Sequence, residues 1–411
     1  MICALLLCTN IVAVHAKEAR ISIGILTTEE RQFAAISSMI EQFELAHPTI
    51  KVQLDFHSDS NYKNNVLNWL VQGKYSILYW QGGKRLSRVI EQNLLYPIDD
   101  LIEPEVLKRH IQPQFLSAVE SENSIYAMPF AHYSWGIYYN KVLFDSLDLR
   151  VPDNWDAFIL LCHKLKKNGL IPLVQGTKDG WPQLAWIDYL TVDVGGAQFR
   201  EQFIDLGSVS KRALTQITNR FGELLGNGFF FAPDHNWSWQ QAISVVLRKQ
   251  AAMTLMGQFA EGVIPDNMSS DIGYFEFPHS AGQTFQVEVA PMEVWVVPKS
   301  AAKTDAVASL LNYLLQDENN IKLATELGWV PVTAGDIPSE YLNSRMKLGY
   351  QQIKNAKTLV QFFDRDAAPE FTKHISKGIT KSILLDDINY LEESLTGEIY
   401  IEPVERSNKP K

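Results

Sequence analysis

The residue types and spacings that could do chemistry in this sequence favour holding a ligand over transforming one. There is no G-x-S-x-G nucleophile elbow, H-E-x-x-H metal motif, G-x-x-x-x-G-K phosphate loop or G-x-G-x-x-G dinucleotide fingerprint. Acidic doublets occur at Asp99-Asp100, Asp386-Asp387 and Glu392-Glu393. Neighbouring residues on a helix point apart, so such doublets are poor acid/base pairs and read as solvated faces. The nine histidines show no metal-ligand spacing. Aromatic surface is what the chain concentrates. The run from Tyr126 to Asp145 gathers Phe130, Tyr133, Trp135, Tyr138, Tyr139 and Phe144 around Pro129 and Gly136. It reads either as an ordinary half-buried strand, which favours such residues, or as a strand crossing between two lobes and presenting rings to a ligand.

Those rings need a scaffold, and the chain is long enough to build one. At 411 residues it exceeds the size at which a single core keeps growing, so two lobes are expected. Apolar residues make up 46% and charged residues 20%, the balance of a globular protein. A net charge of -10 without a basic stripe argues against nucleic-acid partners, since phosphate binding draws on clustered Lys and Arg. Lys164, Lys166 and Lys167, like Lys84, Arg85 and Arg88, sit at helical spacing and read as solvated faces.

Strand and helix periods alternate along the first part of the chain. Ile21, Ile23 and Ile25 form one strand face, Phe33, Ile36, Ile40 and Phe43 recur at helical spacing up to His47-Pro48, and Ile50, Val52, Leu54 and Phe56 alternate again. A helical stretch from about Tyr62 to Leu70 stops at Gly73, and Tyr75 to Trp80 reads as a third strand. Parallel sheets bind ligands outside the carboxyl ends of their strands. The loops at 27–30, 57–60 and 80–83 are therefore the first site candidates. Further on, Val151-Pro152-Asp153-Asn154-Trp155 introduces a helix with an acidic cap that ends at Asn168-Gly169, and Gly195-Gly196, Gly207 and Gly226 to Gly228 punctuate a mostly helical middle third.

Five phrases in order resemble the extracellular solute-binding proteins of bacterial ABC importers, in their maltose-binding-like, carbohydrate-binding branch. They are IEQFELAHPTIKV ending at Val52; LLYPIDDL from Leu94 to Leu101; Tyr126 to Asp145 followed by VPDNWDAF; AAMTLMGQFAEG from Ala251 to Gly262; and the stretch from Trp295 to Val332. Ser76-Ile77-Leu78 and Met256-Gly257-Gln258-Phe259 depart from the family's usual wording near the expected ligand surface. The resemblance implies a two-lobed α/β periplasmic binding protein of type II, with three interlobe crossings and an interlobe cleft. It maps an N-terminal lobe to 17–130 and 290–330 and a C-terminal lobe to 131–289 and 331–411. The crossings would fall near 131–134, 287–290 and 330–333.

A sugar offers hydroxyls at its rim and apolar C–H faces, so its site needs flat aromatic platforms and amide or carboxylate groups at the edge. Ten tryptophans supply the platforms. Trp80, Trp135, Trp181 and Trp239 are the expected stacking groups, with Trp295 near them; Trp155 and Trp186 sit in helix patterns and are assigned to packing. Glu29, Glu30, Gln81, His132, Gln258 and Glu293 are the expected polar partners. No catalytic residue, metal or cofactor is expected. The implied partners are a small-molecule carbohydrate and the permease subunits of an importer, with the protein itself a monomer. A same-fold receptor signalling to a membrane sensor, for a cationic ligand such as a polyamine, is the alternative, because Glu29-Glu30 would suit a cation. A glycoside hydrolase would need two positioned carboxylates, for which Glu29 and Glu293 are the one pair to propose.

The N-terminus points to export. Ile2 to Val14 is apolar, short for a bilayer span, and ends in Val14-His15-Ala16. A signal peptide over residues 1–16, a mature start at Lys17 and a periplasmic location are expected, although no Lys or Arg precedes Lys17. Cys3 and Cys8 would leave with the signal, so Cys162 alone cannot form an internal disulfide. Lipid anchoring at Cys8 is disfavoured, since the residue before it is not small.

Overall fold

A computed structural model describes residues 18–402 apart from 28, 206–208, 232–235, 284, 302–304 and 399–400. The expected signal segment, Lys17 and Cys8 lie outside the described residues. Strand β1 (Ala19–Leu26) buries Ile21, Ile23 and Ile25, as their alternation requires. Helix α1 (Glu30–Ala46) lays Ile36, Met39, Ile40 and Phe43 on the core and ends before Pro48. Strand β2 (Ile50–His57) runs parallel to β1. Helix α2 (Asp59–Gln72) is started by Ser58, whose hydroxyl accepts from the Asn61 amide. It is stopped by Gly73 at φ 60°, a left-handed conformation that suits glycine. Strand β3 (Ile77–Gln81) pairs with β1 on its other side, completing the expected parallel β-α-β units.

The sheet is extended by chain from much later in the sequence. Met292–Pro298 pairs antiparallel with β3, Met128–His132 pairs with Met292–Pro298, and Val330–Pro331 pairs with Met128–His132. The register sets Glu293 opposite Gln81. Two polar residues 212 positions apart thus stand side by side at the carboxyl end of β3.

A second sheet has Trp135–Asn140 at its centre, flanked antiparallel by Met253–Gly257 and Ile272–Phe275. The chain leaves the large sheet at His132 and enters the small one at Trp135, so only Tyr133 and Ser134 connect them. The aromatic run beginning at Tyr126 is therefore both core strand and crossing. Two further passages follow, from Ile272–Phe275 to Met292–Pro298 and from Val330–Pro331 to the helix Ser344–Asn355, which packs on Ile272–Phe275. The architecture is a two-lobed α/β fold. Helices Leu184–Ile204, Lys211–Gly226 and Pro369–Leu385 build much of the second lobe, and the first of these kinks at Gly195-Gly196 and continues, where the glycine pair read as a stop. Trp155 and Trp186 are buried packing groups. Among the described residues no helix is long and apolar enough to cross a membrane.

Gly136 lies in the central strand of the small sheet, where a Cβ would stand 2.6 Å from the Phe275 carbonyl oxygen and 2.5 Å from the Tyr274 ring. Backbone cannot give way cheaply. Gly136→Ala is expected to lower stability by about 1–3 kcal/mol, read as a shift of the urea midpoint at unchanged slope.

Candidate ligand-binding cleft

The carboxyl ends of β1, β2 and β3 open onto a cavity of about 430 Å³ between the two sheets. All three loops named from the sequence deliver lining residues: Thr27 and Glu29, Ser58 with Asp59 and Ser60, and Gln81. Opposite them, the second sheet and its neighbours contribute Trp135, Trp181, Trp239 and Phe259.

Aromatic rings form one continuous wall. Trp135 stacks on Phe362 with ring centroids 4.5 Å apart and planes 6° from parallel, and Trp181 meets Trp135 edge-on at 6.1 Å. Phe259 meets Tyr133 edge-on at 5.3 Å and Trp239 edge-on at 5.0 Å. Such offset and edge contacts hold the rings rigidly and keep a flat hydrophobic surface in place. The indole N–H groups of Trp135 and Trp329, both on lining residues, are buried without a hydrogen-bond acceptor among the described residues.

The facing wall is polar, and Glu293, Arg365, Asp364, Lys63 and Asp59 on it are paired. Glu293 accepts from Arg365 at 2.5 Å and from the Tyr79 hydroxyl. Arg365 also donates to the Tyr133 hydroxyl and the Met292 carbonyl, both at 2.8 Å. Asp364 faces Arg85 at 3.0 Å and Lys63 at 3.6 Å. Burial pushes its carboxyl up, but Arg85, Lys63 and Arg365 outweigh that and hold it at about 2. Lys63 also pairs with Asp59 at 3.0 Å. Across the cleft, Gln240 donates to Glu29 at 2.9 Å.

One short segment ties these parts together. From 361 to 367 the chain reads Gln-Phe-Phe-Asp-Arg-Asp-Ala, and nearly every residue reaches a different element. Gln361 accepts from the Met292 amide at 2.9 Å, Phe362 stacks on Trp135, and the Phe363 amide donates to Asp188 at 2.6 Å. Asp364 and Arg365 pair with Arg85 and Glu293, while Asp366 accepts from Arg200 at 3.0 Å and from the Lys84 amide at 3.2 Å. This clasp fastens the β3 end, the helix Leu184–Ile204 and the aromatic wall to one another.

Of the residues expected from the sequence, Glu29, Gln81, Trp135, Trp181, Trp239 and Glu293 line the cavity. Five do not. Glu30 is exposed on the first turn of α1, where its charge suits the helix N-terminus. Trp80 lies between Tyr79 and Gln81, and because strand side chains alternate it points to the other face, beside Tyr62. His132 stacks on Phe115 at 4.6 Å, and burial lowers its pKa to about 3, leaving it neutral. Gln258 is fully buried, donating to the Arg345 carbonyl at 2.9 Å and accepting from the Ser134 amide at 3.4 Å, so it braces the crossing. Trp295 stacks on Phe130 at 4.7 Å. The lining groups Tyr79, Lys63, Phe362, Asp364 and Arg365 were not anticipated. The one sequence signal for the last three was Phe-Phe followed by alternating charge, which resembles any helix start.

Beneath Trp135 lies a buried polar knot at the crossings. The Tyr189 hydroxyl is 2.6 Å from Glu288 and 2.9 Å from the Trp135 carbonyl, to which Gln352 also donates at 3.1 Å. Burial raises the Glu288 carboxyl to about 8, with hydrogen bonds from Tyr189 and Gln352 opposing the rise. A carboxylate whose folded value exceeds its unfolded one holds its proton more tightly when folded. Stability should therefore fall as pH rises from about 4.5 to about 8. Glu288→Gln should flatten that decline, and urea midpoints at pH 5, 6.5 and 8 measure it.

A cleft at the strand ends, walled by aromatic rings on one side and fixed polar groups on the other, belongs to a two-lobed solute receptor. The chain is a member of the bacterial extracellular solute-binding protein family, whose sequence model matches residues 27–321. This is a family of receptors rather than enzymes. The chain is 26% identical to an uncharacterized ABC transporter extracellular-binding protein of Pyrococcus horikoshii, over 86% of this chain and 81% of that one. It is 23% identical to the multiple sugar-binding protein of Streptococcus mutans, over 66% and 65% respectively. Among solved structures, the bacterial solute receptor AcbH, described as having an exclusive preference for β-D-galactopyranose, superposes with a TM-score of 0.85. Its identity is 24%, covering 93% of this chain and 97% of that one.

Proposed function

We propose that this protein is the periplasmic solute-binding component of an ABC importer, capturing a sugar or oligosaccharide in the cleft and delivering it to permease subunits as the lobes close. The observation that carries the reading is the division of the cavity into an aromatic wall and a wall of fixed, paired polar groups. A sugar ring matches both, laying its C–H face on the rings and its hydroxyls on the polar edge. Closure follows if the bound ligand makes contacts on both walls that the open form cannot offer. In this reading the N-terminal lobe comprises 17–130 and 290–330, and the C-terminal lobe 131–289 and 331–411.

The other two readings fit the charges less well. A polyamine would have to compete with the cations already facing Glu293, Asp364 and Asp59, which leaves Glu29 and Asp179 as the lining carboxylates to receive it. A hydrolase built on Glu29 and Glu293 needs the Glu293 carboxylate turned to the substrate, but Arg365 and the Tyr79 hydroxyl already hold it. A thermal-shift screen of mono- and oligosaccharides, polyamines and amino acids tests the proposal. A sugar at a hundred times its Kd should add about 2.7 kcal/mol of stability. Stabilisation by polyamines alone, or by nothing in the panel, would refute it.

A further inference from the structure

The cavity has a buried floor and a half-buried rim that includes Glu29, Asp59, Lys63, Trp181, Trp239 and Gln240. Its floor is made by Trp135, Phe362, Glu293 and Arg365, all buried. The exposed lining residues are Ser58 and Ser60 at the start of α2, together with Lys178 and Asp179 opposite them. These mark a mouth on one side. Elsewhere the two walls are already joined. The Gln240–Glu29 hydrogen bond spans them near the β1 loop, and the clasp spans them through Asp364 with Arg85 and Arg365 with Glu293.

An extended oligosaccharide lying along a cleft needs two exits. Here a chain continuing past the floor would have to displace Phe362 from Trp135 or separate Arg365 from Glu293. Continuing past the β1 loop would break the Gln240–Glu29 bridge. The volume of about 430 Å³ lies toward the lower end of the roughly 300–1,000 Å³ typical of small-molecule sites. The lining adds a second restriction, because Glu29, Asp59, Asp179, Glu293 and Asp364 outnumber Lys63, Lys178 and Arg365, and that excess of negative charge disfavours an acidic sugar.

Resting on the saccharide reading above, we infer that the cleft selects a short, non-acidic saccharide of one or two rings and discriminates against longer chains. Affinity depends on complete enclosure of the rings, so each added unit that cannot be enclosed costs a bridge without adding a wall contact.

Calorimetry on the intact protein with gluco-, galacto-, malto-, cello- and xylo-configured saccharides of one to six units tests this. Within the series that binds, the tightest ligand should have one or two rings, and affinity should drop at least tenfold by four rings. Uronic acid counterparts of the best ligand should bind at least tenfold more weakly. Affinity that stays level or rises to four rings would overturn the length limit, and equal binding of a uronic acid would overturn the charge limit. Silence in every series would overturn the saccharide reading itself, and this inference with it.

Discussion

Arg365→Ala is expected to destabilise the protein by about 3–5 kcal/mol, the usual cost of removing one partner from a buried ion pair. Arg365 is 3% exposed and Glu293 1% exposed, so the remaining carboxylate would be left without a countercharge or enough water. The loss extends beyond the pair. The same guanidinium donates to the Tyr133 hydroxyl and the Met292 carbonyl, which fix the first crossing and the strand beside β3. Arg365→Lys should recover only part of the loss, because an ammonium cannot make the planar fork that reaches these acceptors together. Arg365→Met combined with Glu293→Gln should be less destabilised than Arg365→Ala alone, since no uncompensated charge remains. Urea denaturation of the three variants measures the effect. A loss under about 1 kcal/mol in Arg365→Ala would mean that water reaches Glu293 freely, and the closed floor would be wrong.

Trp135→Ala should affect both stability and binding. The indole is buried against Phe362, Trp181 and Phe259 at the cavity floor, so truncation should cost about 3–5 kcal/mol of stability. Binding of the sugar identified by the screen should weaken by about 1–3 kcal/mol, the worth of a large aromatic contact. The two effects separate at Trp181, which is only half-buried. Trp181→Ala should weaken binding similarly while changing the melting temperature much less. Unchanged affinity in both variants, measured by calorimetry, would remove the aromatic wall from the ligand site.

Legibility from sequence followed the range over which each signal acts. The β-α-β start was readable because strand and helix periods are local, and Ile21, Ile23 and Ile25 need only their own spacing to declare a face. The three loops at the strand ends followed from that order alone, and each of them lines the cavity. Within a loop the resolution failed. Trp80 and Gln81 were both chosen, although adjacent strand residues cannot share a face, and Glu29 and Glu30 diverge where the helix begins. His132 and Trp135 were expected at the same floor, but His132 belongs to the large sheet and Trp135 to the small one, and only Trp135 faces the cavity.

The sequence by itself determined the alternating β and α order and the aromatic supply, because these rest on periodicity and residue type, while the position of the first crossing was what the family resemblance implied. The tertiary structure alone decided which aromatic rings and charges meet. Glu293 becomes a site residue through antiparallel pairing with β3, and Arg365 through a clasp that returns 72 residues later to neutralise it. Neither partner carries a local mark of the other. A buried charge is tolerated where its countercharge is brought to it, and only the folded chain fixes that distance.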